Sequence, residues 1–285
     1  MKIKKVAVIG AGTMGHGIAQ LAATAGFEVK ITDAIKECLE EACKKITVSL
    51  ERSVQKGKMA AEEKEAVINR LQFVDSLDKT VMDADIVIEA VFENLDIKKQ
   101  LFKDFDRFAT GEAILASNTS QYSITEIASV VSDPSRVVGM HFFNPPVVMK
   151  LIEAVRGLET SEKVIEEVKE FGMKLGKEVV VCRDSQGFIS TRVLVALRLE
   201  CYRLLEEGVA TKEDIDKTLK LAFGHPMGQF ELADFSGLDI EVPICEGLAK
   251  VFGDRFRPPQ TLVHLVKAGR IGRKAGKGWH NYTDK

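Results

Sequence analysis

The period of apolar and polar positions changes several times along the chain, and those changes divide it in two. Ile3 to Ile9 is a nearly continuous β-branched run, the pattern of a strand buried on both faces. It breaks into Gly10, Gly12 and Gly15, after which Ile18, Leu21 and Ala22 recur at helical spacing within Met14 to Ala25. Phe27 to Thr32 predicts a second strand. Apolar residues at Leu39, Ala42, Ile46 and Leu50, then at Ala66, Val67 and Leu71, predict two helices hinged at Lys56-Gly57-Lys58. That hairpin is larger than a minimal crossover between two strands needs. Strands are next expected at Leu71 to Val74, Asp85 to Val91, Ala113 to Ala116, Val137 to Met140, Val148 to Val155 and Glu178 to Cys182. Helices are expected over Leu95 to Phe108, Ser123 to Val131 and Ser161 to Leu175. Strands alternating with helices imply an α/β Rossmann-type fold, a mainly parallel sheet covered on both faces and carrying a helical-hairpin insertion.

From Asp184 onward no strand pattern appears. Helical patterns run over Ile189 to Glu207, Thr211 to Ala222, Leu238 to Phe252 and Pro259 to Ala268. A boundary within Arg183 to Gln186 follows, giving an α/β domain over 1–184 and an all-α domain over 185–285. The bulk properties narrow the partners. A net charge of −2 gives no basic field to attract nucleic acid or anionic lipid. No apolar stretch approaches the roughly 20 residues needed to span a bilayer. The segment from Met1 to Lys5 and the short apolar run after it lead straight into the glycines, so they read as the first strand and not as a signal peptide. The cysteines at 38, 43, 182, 201 and 245 form no Cys-x-x-Cys pair, which fits reduced thiols in the cytoplasm and no metal site.

The glycine run carries the first chemistry. After a strand and before a helix, Gly10 permits a tight turn, Gly12 a close approach of backbone to a pyrophosphate, and Gly15 close helix–strand packing. The helix N-terminus presents N–H donors and partial positive charge to that pyrophosphate. Asp33 ends the second strand eighteen residues after Gly15. A carboxylate there accepts from both adenosine ribose hydroxyls and repels a 2′-phosphate, so NAD is the expected cofactor; Lys36 nearby leaves some NADP use open.

Ligands of an open parallel sheet sit beyond the carboxyl ends of its strands. Ser117-Asn118-Thr119-Ser120 and His141-Phe142-Phe143-Asn144-Pro145-Pro146 fall at such ends. Glu153 stands within an apolar strand, where an unpaired carboxylate is costly. Each has an ordinary reading: a Ser-Asn-Thr-Ser run is usually a turn or helix cap, and a single His is usually structural. Together, a His and a partly buried Glu suit proton transfer.

The string Gly10-Ala-Gly-Thr-Met-Gly-His-Gly-Ile-Ala19, then Ser117-Asn-Thr-Ser120, then Gly139-Met-His-Phe-Phe-Asn-Pro-Pro146 with Met149-Lys-Leu-Ile-Glu153, then His225-Pro-Met-Gly228, resembles the short-chain L-3-hydroxyacyl-CoA dehydrogenases. The likeness extends to Gly272-Arg-Lys-Ala-Gly-Lys-Gly-Trp279. It implies NAD-dependent interconversion of (S)-3-hydroxyacyl-CoA and 3-ketoacyl-CoA. His141 would be the acid/base, Glu153 would hold it, and Ser117 would bond the reacting oxygen beside the nicotinamide. Gly10, Gly12, Thr13, Met14, Gly15, Asp33, Glu93, Asn144 and Lys274 would line the cofactor. Ser49 and Lys56 would touch the CoA.

One position departs from the family pattern. Thr191 stands where an Asn normally precedes Arg192, and a single hydroxyl replaces an amide with two donors. Thr191 is therefore an expected substrate contact of altered capacity. Two other readings stay open: a dehydrogenase of a hydroxy acid lacking CoA, against which Ser49 and Lys56 speak, and a nucleotide-binding relative with weakened catalysis. The compact length points to short acyl chains, such as 3-hydroxybutyryl-CoA. Leu197, Leu199, Leu204, Leu219 and Leu221 give the helical domain more apolar surface than one side needs, and the resemblance implies a homodimer through it.

Overall fold

The computed structural model describes residues 3–282. Met1 and Lys2, where the segment weighed against a signal peptide begins, lie outside them. The chain forms two compact units, Met1–Ser185 and Gln186–Lys285.

The first unit is built on one eight-stranded sheet. Its strands are β1 (Lys5–Ile9), β2 (Glu28–Thr32), β3 (Leu71–Phe73), β4 (Ile86–Glu89), β5 (Ile114–Ser117), β6 (Val137–Phe142), β7 (Leu151–Arg156) and β8 (Glu178–Arg183). They lie in the order β3-β2-β1-β4-β5-β6-β7-β8. Every pair is parallel except β6 with β7. The order reverses between β1 and β4, and that reversal opens the crevice where the carboxyl ends of parallel strands bind ligands. Helix α1 (Gly15–Thr24) packs its Ile18, Ala19 and Ala22 into the same core as Val6, Val8 and Ile88. The hairpin is α2 (Lys36–Gln55) and α3 (Ala61–Asn69), and Gly57 turns it at φ +65. Leu39, Ala42, Ile46 and Leu50 of α2 are buried, one apolar stripe at the spacing of a helix face.

The remaining helices of this unit are α4 (Leu77–Val81), α5 (Leu95–Phe108), α6 (Ile124–Ala128) and α7 (Glu162–Lys174). Their starts show why they begin where they do. Asn94, Ser123 and Ser161 each accept a hydrogen bond from a first-turn N–H. Two expectations shift. The strand expected from Val148 begins at Leu151, because residues 143–150 form a turn between β6 and β7. The short helix α4 was not expected; five residues hold too little periodicity to announce one.

The second unit is helical: α8 (Ser190–Glu206), α9 (Lys212–Phe223), α10 (Gln229–Ser236), α11 (Leu238–Phe252) and α12 (Gln260–Lys267). Tyr202, Phe230 and Trp279 form its aromatic centre, with the Tyr202 and Trp279 rings 4.6 Å apart. Helix α10 was not foreseen, and its cap is remote. Asp216 of α9 accepts from the N–H groups of Phe230 and Glu231 at 2.9 and 3.1 Å.

Candidate active site

The glycine loop closes as a tight turn. Gly10 has φ +102, and a Cβ on it would stand 2.6 Å from the Ala90 carbonyl oxygen. A Cβ on Gly15 would lie 1.7 Å from the Gly10 oxygen. Its absence at Gly15 thus closes the turn on itself, more than it packs helix on strand as expected. Gly12 faces open space, and Gly12 and Thr13 are exposed. Met14 precedes α1 and gives it no side-chain cap. The first N–H groups of a helix lack partners inside it, so this end is suited to an anion. Asp33 braces the loop: its carboxylate accepts from Ala11 N–H at 2.7 Å and from Ile35 N–H at 2.9 Å. These features fit a dinucleotide.

His141 and Glu153 are cross-strand partners in the one antiparallel pair of the sheet. Such partners lie on the same face, with side chains about 5 Å apart. His141 Nδ1 stands 2.8 Å from Glu153 Oε2, and both side chains are almost wholly buried. A carboxylate at that distance requires Nδ1 to carry the hydrogen. Nε2 then becomes the basic nitrogen of the neutral ring. Phe143 packs on the imidazole with ring centroids 4.7 Å apart, which restricts its rotation. The pair can exchange a proton at Nε2 while the carboxylate holds the ring.

Ser117 is placed otherwise than the role expected of it requires. Its side chain has no exposed surface, and its hydroxyl donates to Glu89 Oε2 at 2.6 Å. A sealed group cannot touch a ligand, so this position does not bond the reacting oxygen. Ser120, three residues on, is partly exposed, and it bonds Glu93 through its backbone N–H. It is the hydroxyl of this loop that can reach a ligand. The four-residue run cannot reveal this, because nothing in its composition says which hydroxyl faces inward. A signal did exist: Glu89 ends an apolar strand and demands buried donors. We expect Ser120→Ala to lower kcat by about 10²-fold or more, as loss of an oxyanion donor does. Ser117→Ala should lower thermal stability before it lowers kcat, and steady-state rates beside melting curves check both.

Glu93 is also committed. Its carboxylate accepts from Thr119 Oγ1 at 2.6 Å and from Ser120 N–H at 3.0 Å, and it pairs with Lys98 at 3.0 Å. Lys98 in turn donates to Glu89 at 2.8 Å. Two carboxylates on one buried ammonium therefore hold the whole Ser117–Ser120 loop. Asn118 ties the loop to β6 by accepting from Phe142 N–H at 2.8 Å. Asn144 is exposed on the turn that follows His141.

Ser49 and Lys56 both belong to the hairpin. Seven residues are close to two helical turns, which puts both on one face. Ser49 Oγ accepts from Gln20 Nε2 at 3.0 Å, and Lys56 is exposed at the carboxyl end of α2. Thr191 and Lys274 belong to the second unit. Thr191 lies in the first turn of α8, and Lys274 pairs with Asp239 at 2.7 Å. No group of three or more His, Cys, Asp or Glu among the described residues is arranged to hold a metal ion. No described helix is long and apolar enough to cross a membrane.

Comparison with known proteins places this geometry. Residues 5–185 match the NAD binding domain of 3-hydroxyacyl-CoA dehydrogenase, and residues 187–282 match its C-terminal domain. The chain is 46% identical over 286 residues to a probable 3-hydroxybutyryl-CoA dehydrogenase of Bacillus subtilis, covering 100% of this chain and 99% of that one. It is 41% identical to the mitochondrial hydroxyacyl-coenzyme A dehydrogenase of Sus scrofa, covering 98% of this chain and 91% of that one. The crystal structure of (S)-3-hydroxybutyryl-CoA dehydrogenase PaaH1 from Ralstonia eutropha superposes with a TM-score of 0.95. It is 38% identical, covering 99% of this chain and 100% of that one.

Proposed function

The chain belongs to the 3-hydroxyacyl-CoA dehydrogenases, and from that premise we propose that it interconverts short-chain (S)-3-hydroxyacyl-CoA and 3-ketoacyl-CoA with His141 as acid and base. It is an NAD-dependent oxidoreductase acting on a secondary alcohol. The observation that carries the mechanism is the buried His141–Glu153 pair at 2.8 Å. In oxidation, His141 Nε2 takes the proton of the 3-hydroxyl; in reduction it returns that proton to the ketone oxygen. Glu153 fixes the tautomer and stabilises the imidazolium that forms. Ser120 donates to the reacting oxygen, as the one reachable hydroxyl of its loop. The NAD supplies the hydride acceptor or donor. Gly12 to Gly15 hold its pyrophosphate, Asp33 its adenosine ribose, and Asn144 its nicotinamide end. Glu93 acts on the cofactor side by shaping the loop. Lys56 presents a cation, and Ser49 a hydroxyl, to the phosphate-bearing end of CoA. Thr191 and Lys274 are assigned to substrate and cofactor respectively.

The relatives named for 3-hydroxybutyryl-CoA support the short-chain reading. Rates of NADH oxidation with four-, eight- and sixteen-carbon 3-ketoacyl-CoA test it, with free 3-keto acids and NADPH as further arms. The four-carbon thioester with NADH should give the highest kcat/KM. Turnover confined to free acids would point to a dehydrogenase without CoA, and NADH binding without any turnover to a weakened relative. Val193, Leu221 and Phe223 are 63%, 77% and 69% exposed on the helical unit. They support a homodimer formed through that unit, which the mass of the protein in solution checks.

A further inference from the structure

The turn over 143–150, which carries Asn144 between the strands of His141 and Glu153, is clasped from two sides. On one side stands Lys177, just before β8 and only 7% exposed. Its ammonium donates to the carbonyl oxygens of Pro146 and Met149, each at 2.7 Å. No carboxylate among the described residues bonds it, and burial pushes its pKa below the ordinary lysine value. On the other side Pro146 lies against α1, where a Cβ on Gly17 would stand 2.9 Å from the proline Cδ. The turn also closes on itself, since Val148 and Met149 N–H both donate to the Pro145 oxygen at 3.0 Å.

A turn already closed by its own backbone does not need a buried charge to exist. An ammonium without a counter-ion is costly to bury. What Lys177 adds is direction: charge-assisted bonds to two carbonyls are shorter and stronger than neutral ones. They fix two carbonyls of the turn in place, and the bare Gly17 lets Pro146 approach α1. We propose that Lys177 is a positioning residue for hydride transfer, acting through Pro146 and Met149 to hold the Asn144 turn against the cofactor helix. It sets where Asn144 meets the nicotinamide end and touches neither substrate nor cofactor itself. The inference rests on the assignment of Asn144 under the proposed function.

The test compares two ligands that share an adenosine end and differ at the other. Lys177→Met should weaken NADH binding about tenfold, the worth of one well-formed hydrogen bond, and lower kcat at least as much. ADP-ribose, which lacks the nicotinamide, should bind within about twofold of the parent, and Lys177→Arg should recover part of the NADH affinity. Unchanged NADH affinity and kcat in Lys177→Met would overturn the proposal. So would equal losses for NADH and ADP-ribose, because that pattern means general damage to the domain. If Lys177→Met does not fold, Gly17→Ala decides. Its added methyl meets Pro146 and displaces the same turn, so it should give the same NADH-selective loss; parent-like discrimination would overturn the proposal. The NADH and ADP-ribose arms are binding measurements, so they read out even if acetoacetyl-CoA proves not to be turned over, which would fail the proposed function alone.

Discussion

Replacing His141 by Gln is expected to depress hydride transfer by about 10²–10⁴-fold while leaving NADH affinity within about twofold. Gln reaches a similar distance and keeps a polar amide, but it cannot take up a proton at any working pH. Glu153 would then accept from a neutral amide, and the 2.8 Å bond it now makes to Nδ1 would survive in weaker form. The cofactor contacts are assigned to the glycine loop, Asp33 and the Asn144 turn, and His141 Nε2 is assigned to the substrate oxygen. Binding and chemistry should therefore separate in this variant. Stopped-flow oxidation of bound NADH, with a fluorescence titration beside it, measures each. A parallel fall in both would mean that position 141 organises the cofactor pocket, and the assignment of proton transfer to it would be wrong.

Much of the first unit was legible because local pattern and global fold agree there. A β-branched run, three glycines and a helical stripe stand in unbroken sequence, so residues 3–33 announce both a strand–turn–helix and its ligand. The hairpin was legible for a similar reason, since Leu39, Ala42, Ile46 and Leu50 repeat at helical spacing. Elements decided by distant partners were not. Val148 and Met149 look like strand, but both of their N–H groups donate to the Pro145 oxygen at 3.0 Å and close a turn, which the apolar pattern does not register. Helix α10 begins where Asp216 accepts from its first N–H groups, and the local part of its cap, Glu231 accepting from Gly228 N–H at 3.1 Å, is a weak signal without that distant carboxylate. The site shows the same division. His141 and Glu153 were readable as a pair because a carboxylate inside an apolar strand needs a partner. Ser117 reads as the working hydroxyl because burial is not written in a run of four polar residues; Glu89, twenty-eight positions earlier, is what seals it.

That same sealed carboxylate carries the second large effect, at Lys98. Lys98→Met should destabilise the first unit by about 3–5 kcal/mol, the usual cost of breaking one side of a buried ion pair. Glu89 has no exposed surface and Lys98 only 1%, so water cannot replace the lost ammonium. Burial is the largest single influence on Lys98 and works to lower its pKa. The carboxylates of Glu89 and Glu93 together outweigh it and hold the ammonium above its ordinary range. A raised lysine contributes stability that is fully present below its unfolded pKa and is lost as pH rises through the folded value. The penalty of Lys98→Met should therefore stay level across roughly pH 6–8 and shrink only under alkaline conditions. Adding Glu89→Gln to Lys98→Met removes the stranded charge and should return part of the stability, whereas independent sites would simply add their losses. Activity should follow, because Glu93 loses the ammonium that holds it beneath Thr119 and Ser120, and the loop loosens. Denaturant melts of the single and double variants at several pH values decide this. A Lys98→Met protein as stable as its parent would mean that the ammonium carries no weight there, and that the Ser117–Ser120 loop is held by its hydrogen bonds to neutral groups.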